Sequence, residues 1–197
     1  MDQQAAARPA LQPVRFFGVN SFALIRLRRW RHHAPMTTAI PLFVQLRVRV
    51  IQPTLAYLGL DEPAAINLVL GTAAQESAGQ FLAQYPTGPA RGFWQIEPAT
   101  HHDLLDNYVA FHPDIKARLD ELAFAAMDRD QQLVVNLAYS AAICRLLYRR
   151  APRPLPAPDD LAGLGTYWKE FYNTPLGAGK AEEWVANYLR LVGAPSA

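Results

Sequence analysis

Cysteine is nearly absent from this chain. Cys144 is the only one among 197 residues, so no disulfide can form within the chain and its stability has to come from packing. Nor does any uninterrupted apolar run approach the roughly 18 residues that a membrane-spanning helix needs. Hydrophobic residues nevertheless make up 51% of the chain and charged residues 18%. Length and composition together favour one soluble globular domain without a membrane span.

The charge is divided unevenly along the chain. Residues 1–35 hold six arginines and one aspartate, a charge of +5, and since the whole chain carries +2, residues 36–197 carry −3. We expect 1–35 to be a basic, disordered leader and 36–197 to be the domain. A mildly acidic domain argues against nucleic acid as its main partner. The alternative is an arginine-rich arm, within residues 8–31, that binds nucleic acid or a membrane.

The leader lacks the pattern of a signal peptide. Its apolar stretch at 16–25 is broken by Asn20 and Ser21 and is followed by arginines, whereas a signal needs an unbroken apolar core and a small-residue cleavage site. We therefore predict no signal peptide.

Helical patterns dominate the remainder. The segment from Pro41 to Pro53 is ambiguous between helix and strand, and we expect Pro53 to interrupt it. Asp61 is expected to cap a helix over 63–77, and the breaker-rich segment 80–97 predicts a loop or short hairpin. Further helices are predicted at 100–110 (with Thr100 and Asp103 as a capping box), 113–122, 129–149 (the central buried helix), 159–173 and 180–191.

Glu76 occupies an unusual position in this pattern. An apolar stripe on the 63–77 helix runs through Ile66, Val69, Leu70 and Ala73, and the next position on that face is Glu76. A carboxyl group placed where a core side chain belongs tends to keep its proton near neutral pH, which suits a general acid. The alternative is a glutamate that merely caps or forms an ion pair at the helix end.

Four motifs that occur in order resemble those of the soluble lytic transglycosylase (goose-type lysozyme-like) family. They cover about residues 62–190: Gln-Glu-Ser at 75–77; Gly-Phe-Trp-Gln-Ile at 92–96 with Pro-Ala-Thr at 98–100; the helix at 128–147; and Tyr-Asn at 172–173 with glycines at 177 and 179. Residues 93–94 and 174–176 depart from the family pattern. The sequence of residues 167–174 is similar to that of a bacteriophage or prophage branch of the family. This similarity implies a virion-associated protein or one acting in the periplasm or cell wall.

The resemblance implies a mainly α, α+β lysozyme-like fold and cleavage of the β-1,4 bond between N-acetylmuramic acid and N-acetylglucosamine. Glu76 would be the catalytic acid, the product a 1,6-anhydro sugar, and no cofactor or second protein carboxylate is needed. Peptidoglycan glycan strands would be the substrate, with phage tail or virion proteins as further partners. The residues predicted to bind substrate are Ser77, Phe93, Gln95, Tyr172 and Asn173; the Tyr172 hydroxyl is expected to close over Glu76, and Trp94 is a further candidate for the sugar groove.

Three other readings stay open. One is a catalytically silent virion protein with the same fold, and another is the arginine-armed binder. The third is a hydrolase that uses Glu97 with water, although a glutamate at a helix start is also favoured by the helix dipole. Cys144 is expected to be buried and inert. No metal site is expected at His101 and His102, because adjacent helical residues face different directions.

Overall fold

The computed structural model describes residues 41–173 and 177–195, which belong to one compact unit. The predictions for the leader at 1–35, the start of the domain at Met36 and the departures at 174–176 fall outside these ranges. Within the described ranges the fold is mainly helical, and extended structure is limited to isolated β-bridges. No helix in this part of the chain combines the length and apolarity required to cross a bilayer.

The α-helices are α1 (Pro41–Gln45), α2 (Gln52–Leu58), α3 (Pro63–Glu76), α4 (Pro98–Asn107), α5 (Pro113–Leu122), α6 (Arg129–Val135), α7 (Leu137–Arg149), α8 (Leu161–Trp168) and α9 (Ala181–Leu191). A π-helical segment, Leu46–Ile51, joins α1 to α2, and a second one, Lys169–Asn173, continues α8. A 3₁₀ turn, Val109–Phe111, follows α4. The helices predicted at 113–122 and 180–191 are confirmed to within one residue.

Pro53 does not interrupt the first helical stretch as predicted. The preceding residues form a π-helix, in which the Gln52 N–H donates to the Arg47 carbonyl, and Pro53 takes an early position in α2. Proline is tolerated there because the first turn of a helix needs no N–H from it. The wider turn thus absorbs the proline without ending the helix.

Two helices form the buried centre of the fold: α3, and α7, which is the C-terminal part of the predicted 129–149 helix and is buried from Tyr139 to Tyr148. Every residue of α3 from Ala64 to Ala74 is buried, and α3 contacts α7, α8, α9 and the first π-helical segment. At Gly71 an added Cβ would lie 2.0 Å from a ring carbon of Trp184, so glycine lets the α9 indole approach the helix backbone. The apolar stripe leading to Glu76 is therefore part of a helix buried on all sides.

The predicted 129–149 helix is two helices, because Asn136 breaks it. Asn136 has an extended backbone (φ −109°, ψ 90°), and its side-chain oxygen accepts from the Tyr139 N–H, which caps α7. Its amide nitrogen donates to the Leu122 carbonyl at 2.8 Å. Asp128 caps α6 as the sequence predicts, accepting from the Asp130 N–H at 2.9 Å.

Two other predicted helix starts are wrong in detail. The residue before α3 is Glu62, and neither it nor Asp61 provides a side-chain cap; instead Glu62 pairs with the buried Arg145 of α7 at 3.2 Å. Helix α4 begins at Pro98, so Thr100 lies inside the helix and not at its cap. In both helices a proline in the first turn fixes the start.

The 80–97 segment forms the predicted loop with a short hairpin. Antiparallel bridges join Ala83 to Arg91 and Arg91 to Ile96. The Gly92 N–H donates to the Leu82 carbonyl at 2.9 Å, which closes the turn beside the C-terminal end of α3. This hairpin loop brings the 81–97 residues next to Glu76.

Candidate active site

Glu76 lies in the middle of a groove. Two cavities, of about 340 and 410 Å³, are both lined by Glu76, Gln95 and Glu97. Because they share these three residues, the cavities form one groove that extends to either side of the Glu76 carboxyl. The hairpin side is completed by Phe81, Gln84, Tyr85 and Ala90, and the other side by Ile96, Thr100, Leu147, Arg150, Phe171, Tyr172 and Asn173.

The pKa of the Glu76 carboxyl is raised to near neutrality. Burial raises its pKa from the ordinary value of 4.5 to about 7, while a hydrogen bond from the Trp168 indole opposes the rise. The Trp168 Nε1–H donates to Glu76 Oε1 at 3.0 Å. Desolvation disfavours the carboxylate more than the single donor stabilises it. A group with a pKa near neutrality can both release and take up a proton at the same pH.

Trp168 is a site residue that sequence reasoning missed. Trp168 is a core residue, only 1% exposed, and its indole also donates the hydrogen bond to Glu76. Trp168 precedes Tyr172 by four residues, so the two share a helix face. That spacing was a usable signal for a second aromatic residue beside the carboxyl.

Tyr172 lines the groove, but its hydroxyl does not close over Glu76 as predicted. It donates to the Trp94 carbonyl at 2.5 Å, and the ring stacks on Tyr148 with centroids 5.4 Å apart. Burial raises the pKa of Tyr172 well above its ordinary value, so the hydroxyl keeps its proton. The contact ties the second π-helical segment to the hairpin loop across the groove.

Gln95 reaches the groove from a strained backbone position. Its φ is +46°, in the left-handed region that non-glycine residues seldom adopt. The side-chain Nε2–H donates to the Gly92 carbonyl at 2.7 Å, so the amide also stabilises its own turn. What Gln95 can offer a ligand in the groove is its Oε1 acceptor and its second Nε2–H donor.

Of the other predicted binding residues, Asn173 lines the groove and Ser77 is buried. Asn173 accepts from Lys169 Nζ at 2.9 Å. The Ser77 hydroxyl is buried, donates to the Ala73 carbonyl and accepts from the Gly79 N–H. A Ser77 contact with substrate would therefore require these helix-end bonds to be exchanged.

Of the two loop aromatics proposed for the groove, neither lines it. Trp94 is fully buried and donates to the Val69 carbonyl at 2.9 Å, and Phe93 packs against the core. The aromatic side chains on the hairpin side of the groove are Phe81 and Tyr85, which stack with their centroids 5.9 Å apart. Their exposure, 40% and 77%, leaves ring surface open to a ligand.

Glu97 places a second carboxyl in the groove. It is the exposed residue that precedes α4, yet its side chain makes no capping bond. Glu97 lines both cavities of the groove.

Cys144 is fully buried as predicted, and burial raises the pKa of its thiol well above the ordinary value.

The prediction that His101 and His102 face different directions is wrong. Both rings reach the same carboxylate oxygen of Asp130, at 3.3 and 3.1 Å, because α6 brings Asp130 between them.

Comparison of the chain with protein-family models, with curated proteins and with solved structures found no match.

Proposed function

We propose that this chain is a peptidoglycan lytic transglycosylase in which Glu76 is the general acid and base. One observation carries the proposal: a carboxyl group with a pKa of about 7 lies in the middle of an open groove. Protonating a glycosidic oxygen requires a carboxylic acid that is still protonated near neutral pH. The resemblance of the four motifs supplies the substrate class.

The proposed reaction uses Glu76 twice. Its proton passes to the bridging oxygen as the bond from that oxygen to C1 of N-acetylmuramic acid breaks, and N-acetylglucosamine leaves with the proton. The 6-hydroxyl oxygen of the muramic acid then bonds to C1, and its proton returns to Glu76. Water is neither consumed nor produced, so the product ends in a 1,6-anhydro ring.

The surroundings of Glu76 suit this cycle. Between the two steps Glu76 is a carboxylate, and the Trp168 N–H at 3.0 Å stabilises that form. The side-chain amides of Gln95 and Asn173, which line the same cavity as Glu76, can bind acetamido and hydroxyl groups of the sugars.

A lysozyme-like fold belongs to the same proposal. In support, the chain is mainly helical, the proposed catalytic residue ends a buried helix, and a hairpin loop borders the groove. Action at the cell wall, as part of a virion or from a prophage, rests on the resemblance of residues 167–174 alone.

Product analysis on purified sacculi tests the proposal. The full chain should release muropeptides with 1,6-anhydro ends, identified by mass spectrometry as 18 Da lighter than the hydrated forms, a difference of one water. Glu76→Gln should release muropeptides at least about 10²-fold more slowly than the parent, since a positioned acid–base group contributes about that much to the rate. Absence of any product, with the parent and Glu76→Gln indistinguishable, would leave the silent virion protein as the better account.

Glu97 makes a true hydrolase the second candidate. Two carboxyl groups that border one groove are the arrangement of ordinary glycosidases, in which the second group activates water. Hydrolysis would give reducing N-acetylmuramic acid ends in the same mass spectra.

The arginine arm is tested separately, because it falls outside the described residues. Deletion of residues 1–35 should leave the release of muropeptides unchanged. Steeply salt-dependent binding to DNA that disappears with the deletion would favour the arginine-armed binder.

A further inference from the structure

Two neighbouring histidines of α4 converge on one aspartate of α6. Asp130 Oδ1 lies 3.3 Å from His101 Nδ1 and 3.1 Å from His102 Nε2. One ligand atom from each of the three residues falls within 4.8 Å of the others. Asp130 follows His101 by 29 positions and His102 by 28, so only the packing of α6 beside α4 creates this cluster.

The spacing matches that of metal ligands. Zinc binds imidazole nitrogen and carboxylate oxygen at about 2.0–2.2 Å, so neighbouring ligands of a tetrahedral ion are about 3.3 Å apart. The nitrogen–oxygen separations of 3.3 and 3.1 Å are close to this value, and the two nitrogens lie within 4.8 Å of each other. We propose that His101, His102 and Asp130 form a binding site for a divalent transition-metal ion.

The ring of His101 is held in position from its far side. Its Nε2 is 3.0 Å from the Tyr139 hydroxyl, and the His101 side chain is fully buried. Metal-binding histidines are commonly oriented by a hydrogen bond at their second nitrogen. A tyrosine hydroxyl can donate to that nitrogen or accept from it, so the ring can present a free Nδ1 lone pair without moving.

The protonation of the buried histidine is compatible with metal binding. Burial lowers the pKa of His101, although the bond with Asp130 opposes the change. Neutral imidazole is the form that binds metals. An ion can enter from solvent because the side chains of His102 and Asp130 are 49% and 28% exposed.

The ligand set selects the class of ion. Two imidazole nitrogens and one carboxylate suit Zn²⁺, Co²⁺ or Ni²⁺ better than Ca²⁺ or Mg²⁺, which prefer oxygen ligands alone. Three protein ligands leave the fourth tetrahedral position to water. The competing account is a metal-free clamp in which both imidazoles donate to Asp130 and join α4 to α6.

Titration of the chelator-stripped full chain separates the two accounts. We expect one equivalent of Zn²⁺ to bind in calorimetry, and one equivalent of Co²⁺ to develop a visible d–d absorption band. His102→Gln and Asp130→Asn should each weaken binding at least about tenfold, since even outer partners of a metal site contribute that much. His102 is half-exposed, so its substitution leaves the core intact.

Three other histidines provide the controls. His32 and His33 lie outside the described residues, and His112, which contacts the Tyr108 carbonyl, belongs to neither α4 nor α6. His112→Gln and the double substitution His32→Gln/His33→Gln should bind Zn²⁺ like the parent. The proposal is overturned if the parent binds no Zn²⁺ at 100-fold molar excess, or if His102→Gln binds as tightly as His112→Gln.

Discussion

The Trp168 indole N–H points at the Glu76 carboxyl, with Nε1 3.0 Å from Oε1. Trp168 ends α8 and Glu76 ends α3, so the contact joins the ends of two helices at the groove. The bond favours the carboxylate, whereas the surrounding burial favours the neutral acid. The pKa of about 7 is therefore a balance that a single substitution can move in a defined direction.

Removing the indole donor should raise the Glu76 pKa further. Trp168→Phe keeps an aromatic ring but deletes the N–H, so desolvation is left less opposed. The alkaline limit of activity should move to higher pH, because the acid stays protonated longer. The ¹³C shift of the Glu76 carboxyl, followed from pH 4 to pH 10, measures the pKa directly.

The matched control for this substitution is Trp184→Phe. Trp184 is also a fully buried tryptophan, but its Nε1 has no hydrogen-bond partner in the described part of the chain. Its replacement should leave the Glu76 pKa unchanged. Equal titration curves for Trp168→Phe and the parent would contradict the role given to the indole.

Glu76→Gln should stabilise the protein above neutral pH. The pKa of Glu76 is about 7 in the folded state against an ordinary value of 4.5, so the folded protein binds the proton more tightly than the unfolded chain does. The free energy of unfolding of the parent should therefore fall as pH rises from 4.5 to 7. The gain for Glu76→Gln should be absent at pH 4 and reach about 1–3 kcal/mol at pH 8.

Urea unfolding of both proteins at a series of pH values measures this difference. Glu97→Gln is the control, because the exposed Glu97 carboxylate should give no comparable gain. A stability difference between the parent and Glu76→Gln that does not change with pH would show that the Glu76 carboxyl is solvated in the folded state.

The two exposed aromatic residues of the hairpin loop should bind the glycan. Tyr85→Ala removes a ring that is 77% exposed and lines the groove, so the free energy of unfolding should change by less than about 0.5 kcal/mol. KM for sacculi or oligomeric glycan should rise roughly threefold to tenfold with kcat unchanged, as for loss of uniform binding. Phe111→Ala, at a ring that is 75% exposed and lines neither cavity of the groove, should change neither constant.

Local signals predicted much of this fold. The proline that opens α5, the Asp128 cap and the breaker-rich hairpin loop all act through neighbouring residues, so the sequence shows them directly. The position of Glu76 followed from the apolar pattern of α3 and from its motif. These features need no knowledge of tertiary contacts.

The errors arose where a distant contact decides the outcome. Asn136 breaks a continuous helical pattern because its side chain satisfies the Leu122 carbonyl, 14 residues away. Trp168 and Glu76 are separated by 92 positions, and His101 and Asp130 by 29. Periodicity along one helix does not show which residue of another helix a side chain contacts.

Replacing Asn136 should therefore lower the free energy of unfolding. Asn136→Ala removes the α7 cap and leaves the half-buried Leu122 carbonyl without its donor, which should cost about 2–4 kcal/mol. Asn107→Ala, at an exposed asparagine that contacts Asp103 on its own helix, should cost less than about 0.5 kcal/mol. Thermal unfolding of the two variants makes the comparison, and similar losses would contradict the role of the Asn136 bonds.

Glu97→Gln decides between the two candidate reactions. If Glu76 alone moves the protons, the substitution should change kcat by less than about threefold, because Glu97 then only borders the groove. If Glu97 activates water, kcat should fall about 10²-fold or more. Reducing ends should then dominate the products of the parent, as expected for a two-carboxylate glycosidase. Anhydro products from both the parent and Glu97→Gln, at nearly equal rates, would exclude the hydrolase.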